Sequence, residues 1–223
     1  FNLFSASDDI QLGQQLDAEI TANPNEYPIL NDQQATAYLQ DIVNTITNSP
    51  EIKYKGTFAY QVKIINTSTV NAFAAPGGYL YVYKGLIKFL DNEATMAAVL
   101  AHEVAHAERR HATRRMTKQY GASIILGLIL GNNPSVLEEI AANLLTGLAF
   151  LKNSRDDEYE ADEYSFKYLQ STNWYPGATK LFFEKIGENQ SGNKLEELLS
   201  THPLPQERIK KIDNLIERNS VPP

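Results

Sequence analysis

The chain has 223 residues, 43% of them apolar and 21% charged, which suits one compact domain with a sizeable core. Twenty basic against 27 acidic residues leave a net charge of −7, which argues against general nucleic-acid binding. Cysteine is absent, which excludes disulfide scaffolds, thiolate metal sites and cysteine nucleophiles.

In chain order, residues 6–22 read as an amphipathic helix. Residues 31–49 read as a second, with Tyr38, Leu39, Ile42, Val43 and Ile46 on one stripe. Residues 60–65 and 79–83 carry the β-branched and aromatic side chains of strands. Between them 71–78 (NAFAAPGG) reads as a short strand and a turn marked by Gly77-Gly78. Residues 91–118 form one helical pattern, with Asp91 or Asn92 as the cap and Glu93 in the first turn. A helix opening at Asn133-Pro134-Ser135 runs to about 152, and the next covers 154–171. Two more occupy 178–188 and the stretch after Pro203-Leu204-Pro205. Early strands followed by helices predict an α+β fold, mostly helical, with a small three-stranded sheet next to the 91–118 helix.

The longest apolar run, 122–130, would reach about 15 Å as a helix against about 30 Å of bilayer hydrocarbon, and cannot span it. It follows Arg109, Arg110, Arg114, Arg115 and Lys118. That order fits a solvated face leading into a core or cleft-lining helix; peripheral contact with an anionic membrane surface is the alternative. The chain opens at Phe1 with neither Met nor a basic-then-apolar leader, which reads as a trimmed segment.

Of the four histidines, His102, His106 and His111 fall within ten residues. Residues 102–106 read His-Glu-Val-Ala-His. Four residues apart on a helix places both imidazoles on one face, where they can reach one zinc ion. Glu103 then stands beside the metal as a base, without ligating it. A catalytic site of this kind needs a third protein ligand. A third histidine six residues after the second fails, because Ala112 stands there. His111, nine residues from His102, would lie on the opposite side of a continuing helix and reads as second-shell or structural support. The other solution takes a Glu from a later helix with an Asp one turn on that orients a ligand. Among the downstream glutamates weighed, only Glu158 has an Asp four residues later, Asp162.

Together these segments resemble the HtpX-like and CAAX prenyl protease family of zinc metallopeptidases, a gluzincin group. The resemblance rests on NAFAAPGG at 71–78, HEVAH with Arg110-His111, SRDDEYEAD at 154–162, and Thr201-His202-Pro203 with Arg208. It implies a zincin-like fold, one zinc on His102, His106 and Glu158, Glu103 as catalytic base, and Asp162 in a supporting role. It also implies that 71–78 borders the cleft, so Asn71, Phe73, Ala74, Ala75, Pro76 and Gly77 are candidate substrate-binding residues. The paired membrane-spanning segments of the integral-membrane branches are lacking. The nearer likeness is to the soluble branch of the bacterial cell envelope, which places the chain in the periplasm. We read 1–223 as a single metallopeptidase domain: N-terminal helices over 1–59, sheet and cleft border over 60–90, zinc-binding helix over 91–118, and helices supplying the third ligand and a C-terminal cap over 119–223.

His202 has three candidate roles: a donor to the oxyanion, a plug in the open zinc position, or packing before Pro203. Arg208 and Arg155 are candidates to position substrate or carboxylates, or to form structural ion pairs. Strand residues 79–83 or 73–75 could supply an edge on which an extended peptide adds by main-chain pairing. The expected function is zinc endopeptidase action on unfolded or mis-assembled envelope proteins. The competing reading is a non-proteolytic, chaperone-like client-binding module.

Overall fold

A computed structural model describes residues 1–130, 152–189, 192–204 and 206–222 of the chain. Helix α1 (Ala6–Thr21) opens on a capping box in which Ser5 and Asp8 satisfy each other's backbone N–H. Helix α2 (Gln33–Thr47) is capped by the Asp32 carboxylate. Strands β1 (Gln61–Ile65), β2 (Ala72–Ala75) and β3 (Tyr79–Tyr83) pair in the order β1-β3-β2. β3 runs parallel to β1, with Gln61 opposite Tyr79, and antiparallel to β2, with Ala72 opposite Val82. Residues 79–83, a candidate edge, are therefore the central strand, and the edge nearest the histidines belongs to β2.

Side chains alternate across β3. Leu80 and Val82 join Val62 and Ile64 in the larger core with residues of α2 and with Met96, Ala97 and Leu100. Tyr81 and Tyr83 join Phe73, Ile65 and the Leu12, Leu16 and Ile20 face of α1. The sheet is thus covered on both faces, which is why the YLYVY segment carries no charged side chain and its Tyr81 hydroxyl donates to Asp17 at 2.6 Å.

After the short α3 (Lys84–Phe89) comes α4 (Glu93–Glu108), capped by Asn92 and buried from Thr95 to its end. A helix this apolar on every side belongs in a core. Its alanines Ala97, Ala98, Ala101 and Ala105 are at most 1% exposed, and α4 packs along α6 (Arg155–Leu169), where Ala161 is fully buried. The fully buried Leu100 adds about 1.5–3 kcal/mol of burial to this packing. Helices α7 (Ala178–Glu188), α8 (Glu196–Thr201) and α9 (Gln206–Arg218) close over the other side of α4 and α6.

The single helix expected over 91–118 is two. Helix α4 ends at Glu108, Arg110 takes φ 58°, and α5 (His111–Leu130) starts in a new direction. A left-handed non-glycine residue costs about 1–2 kcal/mol. Here Arg110 is held by two bonds to the buried Asp9 carboxylate, at 3.0 and 2.8 Å, and one to the Phe4 carbonyl at 2.6 Å. The neighbouring basic residues also face inward: Arg109 and Arg114 meet Glu160, and Arg115 meets Asn153 and Asp157. They are structural ties, where a solvated face was expected; Lys118 is exposed. The expected helix over 133–152 lies outside the described residues except at Lys152, as do the side chains of 122–130. Among the described residues, no helix is long and apolar enough to cross a membrane.

Candidate metal centre

The buried face of α4 carries His102 and His106 one turn apart, and the first turn of α6 brings Glu158 against them. That turn is fixed by Ser154 and Asp157 in a second capping box. The end of α8 adds His202. All four residues are buried, and one ligand atom from each lies within 4.8 Å of all the others. The Nε2 atoms of His102 and His106 are 3.0 Å apart. Glu158 puts Oε2 3.3 Å from the first and Oε1 3.1 Å from the second.

The partners of the other ring nitrogens assign the tautomers. His102 Nδ1 lies 3.0 Å from Asp162 Oδ1, so its N–H donates to that carboxylate and Nε2 is a bare lone pair. His111 Nε2 donates to Glu160 Oε2 at 2.9 Å, which leaves His111 Nδ1 as an acceptor. His106 Nδ1 donates to it at 2.7 Å, and so His106 Nε2 is bare as well. Two lone pairs thus face each other beside a carboxylate in a buried site. Glu158 Oε2 and Glu103 Oε2 are buried without a hydrogen bond among the described residues. Arg208 Nη1 stands 2.6 Å from Glu158 Oε2 as a counter-charge, off the hydrogen-bonding direction. With both imidazoles neutral this arrangement repels itself, so either a proton on His102 or a cation must sit among the four donors, and two imidazoles with a carboxylate suit zinc.

The titration of these groups reports the same demand for positive charge. Burial opposes a charge on His102, but Glu158 and Asp162 outweigh it and push the imidazole up to about 10. Burial drives His106 well below the ordinary histidine range despite Glu158. Burial also disfavours the Glu158 carboxylate, yet His202, Arg208 and His102 hold it well below the usual range. For Glu103 burial wins over His202 and His102, and its carboxyl is raised.

Asp162 and His111 contact the Nδ1 atoms of His102 and His106, at 3.0 and 2.7 Å. The chain breaks at Arg110 and swings His111 back onto His106. His202 lies with His102, His106 and Glu158: Nδ1 is 3.1 Å from Glu158 Oε1, and Nε2 is 3.0 Å from the Ala72 carbonyl and 3.5 Å from Glu103 Oε1. Phe73, Ala74, Ala75 and Pro76 line a groove whose other wall includes Glu103, His106, His111 and Asn153. Asn71 is fully buried instead. Its Oδ1 accepts from the Ala72 N–H at 2.9 Å and from Thr201 Oγ1 at 3.2 Å, so it ties β2 to α8. Gly77 (φ 77°) packs under α1, where a Cβ would sit 3.0 Å from the Ile10 Cα. Arg208 forms two 2.7 Å bonds to Asp162, while Arg155 is exposed. Sequence reasoning missed Glu160, as the partner of His111, and Asn153, because neither has a periodic relation to the histidines.

Residues 33–216 match the profile of Peptidase family M48. The chain is 29% identical to the beta-barrel assembly-enhancing protease of Escherichia coli K12, over 94% of this chain and 45% of that protein. It is 33% identical to the mitochondrial metalloendopeptidase OMA1 of Arabidopsis thaliana, over 68% of this chain and 30% of that protein. With the protein of that name from Schizosaccharomyces pombe the identity is 26%, over 99% and 65% of the two chains. The chain thus spans less than half the length of the bacterial relative. The matched span runs from α2 to α9 and contains all four residues of the cluster; the chain belongs to peptidase family M48.

Proposed function

We propose that this domain is a zinc endopeptidase that hydrolyses peptide bonds in extended segments of unfolded or mis-assembled proteins of the bacterial envelope, in the periplasm. The observation that carries this reading is the pair of bare Nε2 atoms, 3.0 Å apart, facing the Glu158 carboxylate in a buried site. His102, His106 and Glu158 would hold one zinc ion per chain. When bound, it would bring the pKa of a water toward neutrality and polarise a peptide carbonyl.

Glu103 is left outside that ligand set with a raised carboxyl and an oxygen that has no hydrogen bond among the described residues. It is suited to take a proton from water and hand it to the departing amine. Strand β2 supplies the binding edge. In an antiparallel ladder alternate residues turn their N–H and C=O away from the partner strand. The Asn71 carbonyl accepts from Tyr83 N–H, so Ala72 and Ala74 face outward. Both outward groups of Ala72 are taken, by Asn71 and His202. Ala74 therefore offers the main-chain pairing for an extended peptide. His202, turned onto Glu158 and Ala72 with both nitrogens, acts as the plug of a resting site.

The name of the Escherichia coli relative supports an envelope substrate. A client-binding module without proteolysis would use the same edge but leaves the Glu103 carboxylate without a task. Casein degradation by the purified domain is the test. It should stop with a chelator, return with zinc, and be absent in Glu103→Gln at unchanged zinc content. Client binding without cleavage under every condition would overturn the enzyme reading. In the same assay His202→Ala should raise turnover, and a fall would make His202 a donor.

A further inference from the structure

We infer that Asn153 is a further catalytic residue, whose side-chain N–H donates to the scissile carbonyl oxygen as that oxygen gains charge. The inference rests on the peptidase reading above. Asn153 is held from several sides. Its backbone N–H donates to the Thr201 carbonyl at 3.1 Å, which ties it to the residue before His202. The next residue, Ser154, is the N-cap of α6. The Asn153 Oδ1 accepts from Arg115 Nη1 at 2.7 Å, and the same Nη1 lies 3.2 Å from Asp157 Oδ2. A guanidinium only donates, so the amide cannot be turned round, and Nδ2 must face the metal cluster.

There Nδ2 lies 3.3 Å from His106 Nε2 and 3.4 Å from His202 Nδ1. Asn153 is 8% exposed and lines the groove with Ala74, Pro76 and Glu103. Among the described residues, the other donors at the cluster have partners. His102 donates to Asp162 and His106 to His111. His202 meets Glu158 and Ala72, and Arg208 meets Asp162 and the Pro203 carbonyl. When substrate displaces His202, the Asn153 N–H faces the vacated position. A neutral amide is the right donor for that place. It favours an oxygen that becomes negative, does not titrate, and adds no positive charge beside a cation site. A purely structural amide would instead only cover the His106 lone pair in the metal-free protein.

Asn153→Asp is close to isosteric and keeps an acceptor for Arg115, but it replaces the donor with a negative carboxylate; Asn153→Ala removes the group. In the zinc-loaded chain both should lose on the order of 10²–10³-fold in kcat, the cost of one oxyanion donor, with KM and zinc content unchanged. The second readout is binding by calorimetry. Affinity for a phosphinic peptide, built on a sequence the wild type cuts, should fall by the same factor. Affinity for the uncut peptide, measured in a Glu103→Gln background, should not move when Asn153→Ala is added. If Asn153→Ala fails to fold, Asn153→Leu, neutral and close in size, takes its place. An unchanged kcat, or a loss of zinc without selective loss of the phosphinic peptide, would overturn the inference while wild-type cleavage stands. A wild type that neither cuts casein nor binds any phosphinic peptide would overturn the peptidase reading, and this inference with it.

Discussion

His102 and His106 stand one turn apart on α4, and each has its outward nitrogen fixed by a partner, but the two supports are built differently. Behind His102 lies Asp162, 2% exposed, one turn along α6 from Glu158 and clamped by two 2.7 Å bonds from the buried Arg208. Behind His106 lies His111, then Glu160, a half-buried carboxylate shared with Arg109 and Arg114. The first support is a closed ion pair in the core. The second is a relay that ends near solvent. A carboxylate orients a ligand more firmly where little water screens it, so the His102 side should be the stiffer half of the site and the one that stability depends on.

The largest expected effect comes from breaking the closed side. Arg208→Met leaves Asp162 and Glu158 buried without their counter-charge and should cost about 3–5 kcal/mol in urea unfolding of the metal-free protein. A loss below about 1 kcal/mol would mean that Arg208 is replaceable there. Next come the two supports themselves, compared by chelator competition. Asp162→Asn should weaken zinc binding by about 10–100-fold, the usual cost of removing a carboxylate that orients a ligand histidine. Glu160→Gln should cost less than about 10-fold, because its charge is partly screened and His111 still accepts from His106. Equal losses would erase the distinction between the two sides.

The same contrast explains what was legible in the sequence. His102 with His106, and Glu158 with Asp162, are i,i+4 pairs inside single helices, so helical periodicity alone puts each pair on one face. The strands were legible from composition, and so was the mostly helical α+β class. What was hidden depends on contacts between distant segments. The break at Arg110 rests on Asp9, a hundred residues earlier, and nothing in the 91–118 pattern announces it. The central place of β3 is decided by pairing with both β1 and β2, which strand composition does not specify. Asn71 looked like a cleft residue from its motif, yet its side chain ties β2 to Thr201. Asn153 comes into the site through the turn before α6 and through Arg115 on α5, two segments that meet only in the folded chain.

The account stands most directly on the cation among His102, His106 and Glu158. Metal analysis of the purified chain, with and without Glu158→Ala, tests it. One equivalent of zinc is expected in the wild type, and its loss in the variant. Zinc retained at one equivalent in Glu158→Ala, or a wild type that takes up none, would contradict it.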